Sequence, residues 1–405
     1  MSLEQLYINL GYTKNQFDLI RFSYSNKNYN DDTFYKKTID IYNYFIRLGL
    51  SRESIIKITS SFPTLFSLSV SSLNQKITYL KEKFELSSDD IKKIIISYER
   101  IFTFTPESVE EKYAFFQSKG YKPAQINRLF KNNAEVFALG IDNLNAKYDF
   151  FLNFGFSSND IIKVTLDNSS VYTYSIETLS RNIEYIMSFG FSKLEAIKLI
   201  SGMPRILALS NENVKEKFES LKSLGYTSEQ IVKVSKGFPG VFRMSEARVK
   251  QKIDYLMTLG FSYQDVIKMS LSYPKLLGIS EETMLNKIND LKALNIDEEI
   301  ILAMVKKFPP ILALSTENIT SKLNVYNHIG VSSAIYSNAM CLMQSADHAY
   351  ARYSFLKEKG ILITPENYKL LFIGNQDFKS RFKITKEELL EQYKMPLNLD
   401  DNREF

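Results

Sequence analysis

Few residues in this chain have the types and spacing that catalysis needs. There are two histidines, His328 and His348, and one cysteine, Cys341. A metal centre needs several ligands at set spacing, and no such set accompanies either histidine. Both are expected on the surface or in a capping region. Cys341 lies in Ala-Met-Cys-Leu-Met, which reads as buried helix, where a thiol is inert. No glycine-rich phosphate loop and no nucleophile elbow occurs. An enzyme and a cofactor are therefore not expected.

The chemistry that remains is that of fixed positive charge. Lys57, Lys93, Arg128, Lys163, Lys198, Lys233 and Lys268 recur at intervals of 35 or 36 residues, and Ala303 ends the series. Seven residues after three of them stand Arg100, Arg205 and Lys275, and Arg243 could join the set. Cations aligned along a surface neutralise a phosphate backbone and release its counterions, so binding weakens steeply with salt. A second column is Lys76, Lys112, Lys147, Lys217, Lys252, Lys287 and Lys322, with Asn182 in the fourth place. Each member precedes an apolar core position, so its stem is expected to cover apolar surface while its head reaches water.

These columns reflect a repeat. Gly120, Gly155, Gly190, Gly225 and Gly260 are 35 residues apart, Asn295 and Gly330 continue the series, and Glu85 and Gly49 precede it. Pro63, Pro204, Pro239, Pro274 and Pro309 form another column, filled by Glu99, Ala134 and Ser169 in the middle units. After one variable residue comes an apolar pair, as in Leu65-Phe66, Val241-Phe242 and Ile311-Leu312. Two columns at one period mark a repeat architecture. Within a unit, glycine ends one helix and Ser or Thr caps the next. The proline marks a break, because within a helix it would cost about 3 kcal/mol. The apolar pair plugs the core as a short 3₁₀ turn, and a second long helix follows. Such a unit cannot bury both faces alone, so neighbours must stack. The expected fold is all-α: a curved α-solenoid of about eight 35-residue units. Residues 1–35, including polar Ser25–Asp32, read as an N-terminal cap and 36–330 as the array. Residues 331–405 read as a degenerate repeat and cap, with Gln344 in the proline slot.

Counted from each glycine slot, the first cation column is position 8. Positions 6, 9 and 13 are mostly apolar, so position 8 points away from the core, and positions 8, 12 and 15 share a helical face. A row of cations facing a ligand is the preferred reading. The alternative is a solvated face paired locally, since Asp160, Glu195 and Asp265 stand three residues before their lysines. The variable residue after the proline slot shows no base-reading code. Phe116, Phe151, Phe154 and Phe156 read as packing residues rather than stacking platforms.

The stretch LGYTSEQIVKVSKGFPGVFRMSEARVKQKIDYLMTLGFS resembles the repeat of the mitochondrial transcription termination factor (mTERF) family. Its Ile-x-Lys-apolar helix, Pro-x-Leu-Leu column, serine cap and Lys-apolar-x-x-Leu helix recur over residues 45–330. Asp377–Phe382 is similar to that family's basic-aromatic ending. The resemblance implies a half-ring α-solenoid that binds nucleic acid along a basic concave path, mostly in mitochondria or chloroplasts. Duplex DNA is expected before RNA, with a role in transcription regulation or termination; a protein-interaction scaffold, such as a bacterial effector, is the alternative.

Composition sets the outer bounds. The chain has 405 residues, 44% hydrophobic, with 51 basic against 46 acidic residues. An excess of +5 does not by itself point to nucleic acid, so alignment of the cations decides the matter. One cysteine excludes an internal disulfide framework and fits a reducing compartment. No apolar run approaches the roughly 20 residues of a membrane span. The first 30 residues resemble neither a secretory signal nor a good organellar presequence. A monomer in a bacterial cytoplasm, delivered to a host, or in a mitochondrion is the expected setting.

Overall fold

Each 35-residue period folds as a helix, a one-turn 3₁₀ segment and a second helix. The computed structural model describes residues 2–23, 30–396 and 399, and among these there is no strand. Of the expected polar cap, residues 25–29 lie outside the described residues. The chain divides into two compact units, residues 1–211 and 212–405.

The first unit opens with helices Leu3–Leu10, Lys14–Phe22 and Asp31–Arg47. Complete repeats then begin with first helices Arg52–Ser61, Ser88–Ser97, Pro123–Asn132 and Ser158–Asp167, and a fifth first helix is Lys193–Gly202. The second unit contains first helices Ser228–Gly237, Tyr263–Ser272 and Glu298–Lys307. It ends with a shorter repeat, Ser332–Ser337, Ala339–Met343 and Ala346–Glu358, followed by helices Asn375–Phe382 and Lys386–Gln392.

The chain forms the same break whether or not proline is present. The residue before the slot has φ between −132° and −158° and ψ between 70° and 86° in all eight full repeats. Glu99, Ala134 and Ser169 open 3₁₀ turns just as the prolines do. Burial of the apolar pair is the common cause: Leu65, Phe66, Ile101, Phe102, Val171 and Tyr172 are all at most 2% exposed. Each such side chain contributes about 1.5–3 kcal/mol. Proline therefore favours a turn that the plug already dictates.

The glycine slot needs the left-handed conformation to end the second helix. Gly155 has φ 101°, and Glu85 and Asn295 take φ 54° and 58° in the same slot. The slots assigned from spacing thus share one backbone requirement despite different side chains. The last repeat departs from the expected register. Its 3₁₀ turn starts at Ala339, 30 residues after Pro309, so Ala339 and not Gln344 fills the proline slot. Cys341 and Leu342 then form the buried pair, and Cys341 lies in a 3₁₀ turn rather than an α-helix.

Candidate nucleic-acid interface

The first helix of each repeat presents the cations. Its core face is fixed by positions 6 and 9: Ile55 and Ile58, Ile161 and Val164, and Val266 and Met269 are all buried. Position 8 lies on the other side, and Lys57, Lys93, Arg128, Lys163, Lys198, Lys233 and Lys268 are all exposed. Arg100, Arg205 and Lys275, at the second residue of their 3₁₀ turns, are exposed too, as is Arg243 at the end of its turn. The first unit carries Lys57, Lys93, Arg100, Arg128, Lys163, Lys198 and Arg205. The second carries Lys233, Arg243, Lys268 and Lys275.

Two contacts show how these positions adjoin across repeats. Arg128 Nη2 lies 3.0 Å from Asp167 Oδ1, which sets position 8 of one repeat beside position 12 of the next. The Arg100 guanidinium stands 5.8 Å from the ring centre of Phe62 in the preceding repeat. Among the described residues, Lys57, Lys93, Lys163, Lys198, Arg205, Lys233, Lys268 and Lys275 have no ion pair within 4.0 Å.

The acids that could have neutralised the row face elsewhere. Asp160 accepts from Ser157 N at 3.1 Å and Glu195 from Ser192 N at 3.1 Å, closing capping boxes at the helix starts. Asp265 accepts from Ser262 N and pairs with Lys306 at 2.9 Å. In the same way Asp90 caps its helix and pairs with Lys131 at 2.8 Å. The Lys131 and Ser87 hydrogen bonds hold the Asp90 carboxyl down at about 2. Lysines at position 11 thus bind the capping acid of the preceding repeat, whereas those at position 8 do not. The local pairing expected from Asp160, Glu195 and Asp265 does not form with Lys163, Lys198 and Lys268.

The second column has a different task. Lys76 Nζ donates to Phe104 O at 2.6 Å, Lys217 Nζ to Met244 O at 3.4 Å, and Lys147 and Lys322 to Tyr172 O and Leu342 O. Each reaches the backbone at the 3₁₀ turn of the next repeat. Asn182, the exception by residue type, makes the same link to Leu207 O at 2.9 Å. Arg352 extends the column into the last repeat, donating to Leu371 O at 3.0 Å and Ile373 O at 2.6 Å. The heads of Lys76, Lys147, Lys217 and Lys322 are therefore held by carbonyls rather than released to water as the sequence suggested. Arg352 went unnoticed because the last repeat is short. The thirteen-residue offset from its proline slot was the available signal.

His348 lies in the C-terminal capping region, one of the two settings expected, but is buried there, and His328 in the array is half-buried rather than exposed. His348 is 6% exposed, and burial, with Arg352 and Lys386 nearby, pushes its imidazole down to about 4. His328 is half-buried between the rings of Tyr350 and Tyr353. Burial pushes the Cys341 thiol up to about 12, which keeps it protonated. Phe116, Phe151 and Phe156 are buried, Phe154 is half-buried, and Phe378 of the basic-aromatic segment packs under Arg352. Among the described residues, no cluster of His, Cys, Asp and Glu could hold a metal ion. No helix there is long and apolar enough to cross a membrane.

No curated protein matches the chain. The mTERF family pattern matches it four times in succession, at residues 29–91, 81–189, 179–289 and 280–363. Those segments cover the repeats and the 3₁₀ plugs described above, well over half of the chain. The chain is an all-α solenoid and belongs to the mTERF family.

Proposed function

We propose that this protein binds nucleic acid, duplex DNA ahead of RNA, and acts in transcription regulation or termination. In each compact unit the phosphate backbone lies along the first helices. Lys57, Lys93, Lys163, Lys198, Lys233 and Lys268 contact it from position 8, with Arg128 partly masked by Asp167. Arg100, Arg205, Arg243 and Lys275 add contacts from the 3₁₀ turns. The observation that carries this reading is that, among the described residues, the exposed lysines of position 8 have no ion pair within 4.0 Å, although an acid stands three residues before Lys93, Lys163, Lys198 and Lys268. Unpaired surface cations release the counterions of a polyanion at little desolvation cost. Residues 36–330 serve as the binding array in this proposal, flanked by caps, and the protein acts as a monomer in a reducing compartment.

The test is binding to duplex DNA, single-stranded DNA and RNA of equal length across a salt series. Wild-type affinity for the duplex is expected to be highest and to fall steeply with salt. Reversing Lys163, Lys198, Lys233 and Lys268 together to Glu should weaken binding at least tenfold. The salt slope should shrink by about 0.9 for each phosphate no longer neutralised. All four side chains are exposed, so the fold should survive the change. Binding that ignores salt, or that survives the quadruple reversal, refutes the proposal. A stoichiometric protein partner retained after nuclease treatment would then favour a scaffold.

A further inference from the structure

One member of the buried column breaks the pattern set by its counterparts. Lys252 is 8% exposed, yet no hydrogen-bond acceptor or ion pair meets its ammonium group among the described residues. In the same column Lys76, Lys147, Lys217 and Lys322 have carbonyls, Lys287 has Thr316 and Asp290, and Lys112 has Glu111. Desolvation lowers the Lys252 pKa, as it does for Lys147 and Lys322, while the Glu281 carboxylate opposes the shift and the Tyr255 ring centre lies 5.9 Å from the ammonium. A buried charge of this kind is costly unless something pairs with it.

Lys252 lines a cavity of about 440 Å³. The cavity opens at the start of helix Glu281–Ala293, whose positive end favours anions. Arg248 borders it as a second cation, and Phe238, Met244, Leu277 and Ile279 supply apolar walls. Glycine shapes one wall: a Cβ on Gly278 would lie 2.7 Å from the Phe238 ring, and one on Gly240 2.8 Å. Glu281 is the one carboxylate in the lining, and Gln251 Nε2 holds its Oε1 at 3.0 Å. The lining therefore carries two positive charges and one negative, a net single positive charge.

We infer that this cavity is a binding site for a small amphipathic monocarboxylate. The carboxylate pairs with Lys252 and the Arg248 fork, and the apolar body lies against Phe238, Met244, Leu277 and Ile279. One negative charge balances the lining, and the guanidinium fork matches the two oxygens of a carboxylate. The apolar walls disfavour a bare inorganic anion. This site is built from second helices and 3₁₀ turns and is independent of the position-8 row.

The test is calorimetric titration of the full chain with octanoate, using 1-octanol and inorganic phosphate as controls. Saturable octanoate binding is expected, with at least tenfold weaker binding of either control. Lys252→Met keeps the stem and removes the charge, and should weaken octanoate at least tenfold. Arg248→Gln, at an exposed position where folding is not at stake, should weaken it severalfold. Gly278→Ala should also weaken it, by pushing Phe238 into the cavity. Salt-dependent DNA binding should be unchanged in Arg248→Gln. Absence of saturation at millimolar octanoate, equal binding of octanol, or unchanged octanoate affinity in both charge variants overturns the inference.

Discussion

Arg128 of one repeat and Asp167 of the next are joined at 3.0 Å, with their side chains 55% and 39% exposed. This pair masks one cation of position 8, where Lys57, Lys93, Lys163, Lys198, Lys233 and Lys268 have no ion pair within 4.0 Å among the described residues. Exposed pairs contribute little to stability, about 0–1 kcal/mol. Its removal should therefore alter binding more than folding. Asp167→Asn is expected to leave the melting temperature nearly unchanged and to tighten duplex DNA binding severalfold. The salt slope should steepen by about 0.9, as for one more neutralised phosphate. Anisotropy measurements at several salt concentrations would check this, and unchanged affinity would remove Arg128 from the proposed row.

Lys147 tests whether the second column holds repeats together. It is 5% exposed and donates to Tyr172 O. Lys147→Met keeps the apolar stem but leaves a buried carbonyl unpaired, which costs about 1–3 kcal/mol. Lys163→Met on the exposed row should stay within about 0.5 kcal/mol of wild type. Denaturant unfolding of both variants measures the contrast. Equal stabilities would mean that the inter-repeat link carries no net energy.

The middle repeats offer a stabilising change. The residue before Glu99, Tyr98, has φ −152° and ψ 80°, close to the −132° and 71° of Phe62 before Pro63. Five repeats make this turn with no N–H at the slot. Glu99→Pro should therefore stabilise the protein by about 0.4–1 kcal/mol, mainly by restricting the unfolded chain. Thermal melting provides the measurement, and a lower melting temperature would show that Glu99 has a role the proline cannot fill.

Acid should release a specific inter-repeat contact. The Lys131 and Ser87 hydrogen bonds lower the Asp90 carboxyl to about 2 in the folded protein, against about 3.9 unfolded. The folded value is the lower one, so this contribution is complete above the unfolded value and is lost as pH falls from about 4 to about 2. Asp90→Asn should be less stable at neutral pH and should show a shallower loss across that window. Stability curves of wild type and variant that run parallel through the window would exclude Asp90 as a source of acid sensitivity.

Sequence alone determined the parts of this protein that repeat by residue type. The 35-residue period, the helix starts, the buried apolar pairs and the exposed face at position 8 each leave a letter pattern, because burial selects side chains at fixed helical spacing. The prolines were legible but secondary, since Glu99, Ala134 and Ser169 form the same turn.

Tertiary structure decided which cations are paired and which are free. Lys131 and Lys306 meet Asp90 and Asp265 across repeats, while among the described residues Lys163 and Lys268 have no such partner. Those pairings depend on how one helix stacks on the next, which spacing within a helix does not contain. The second column was ambiguous for a related reason: Lys76, Lys147 and Asn182 end on backbone carbonyls, and a carbonyl is the same whatever residue bears it. The cavity beside Lys252 likewise follows from packing, where Phe238 meets Gly278 and Gly240 and the lysine is left without an acceptor.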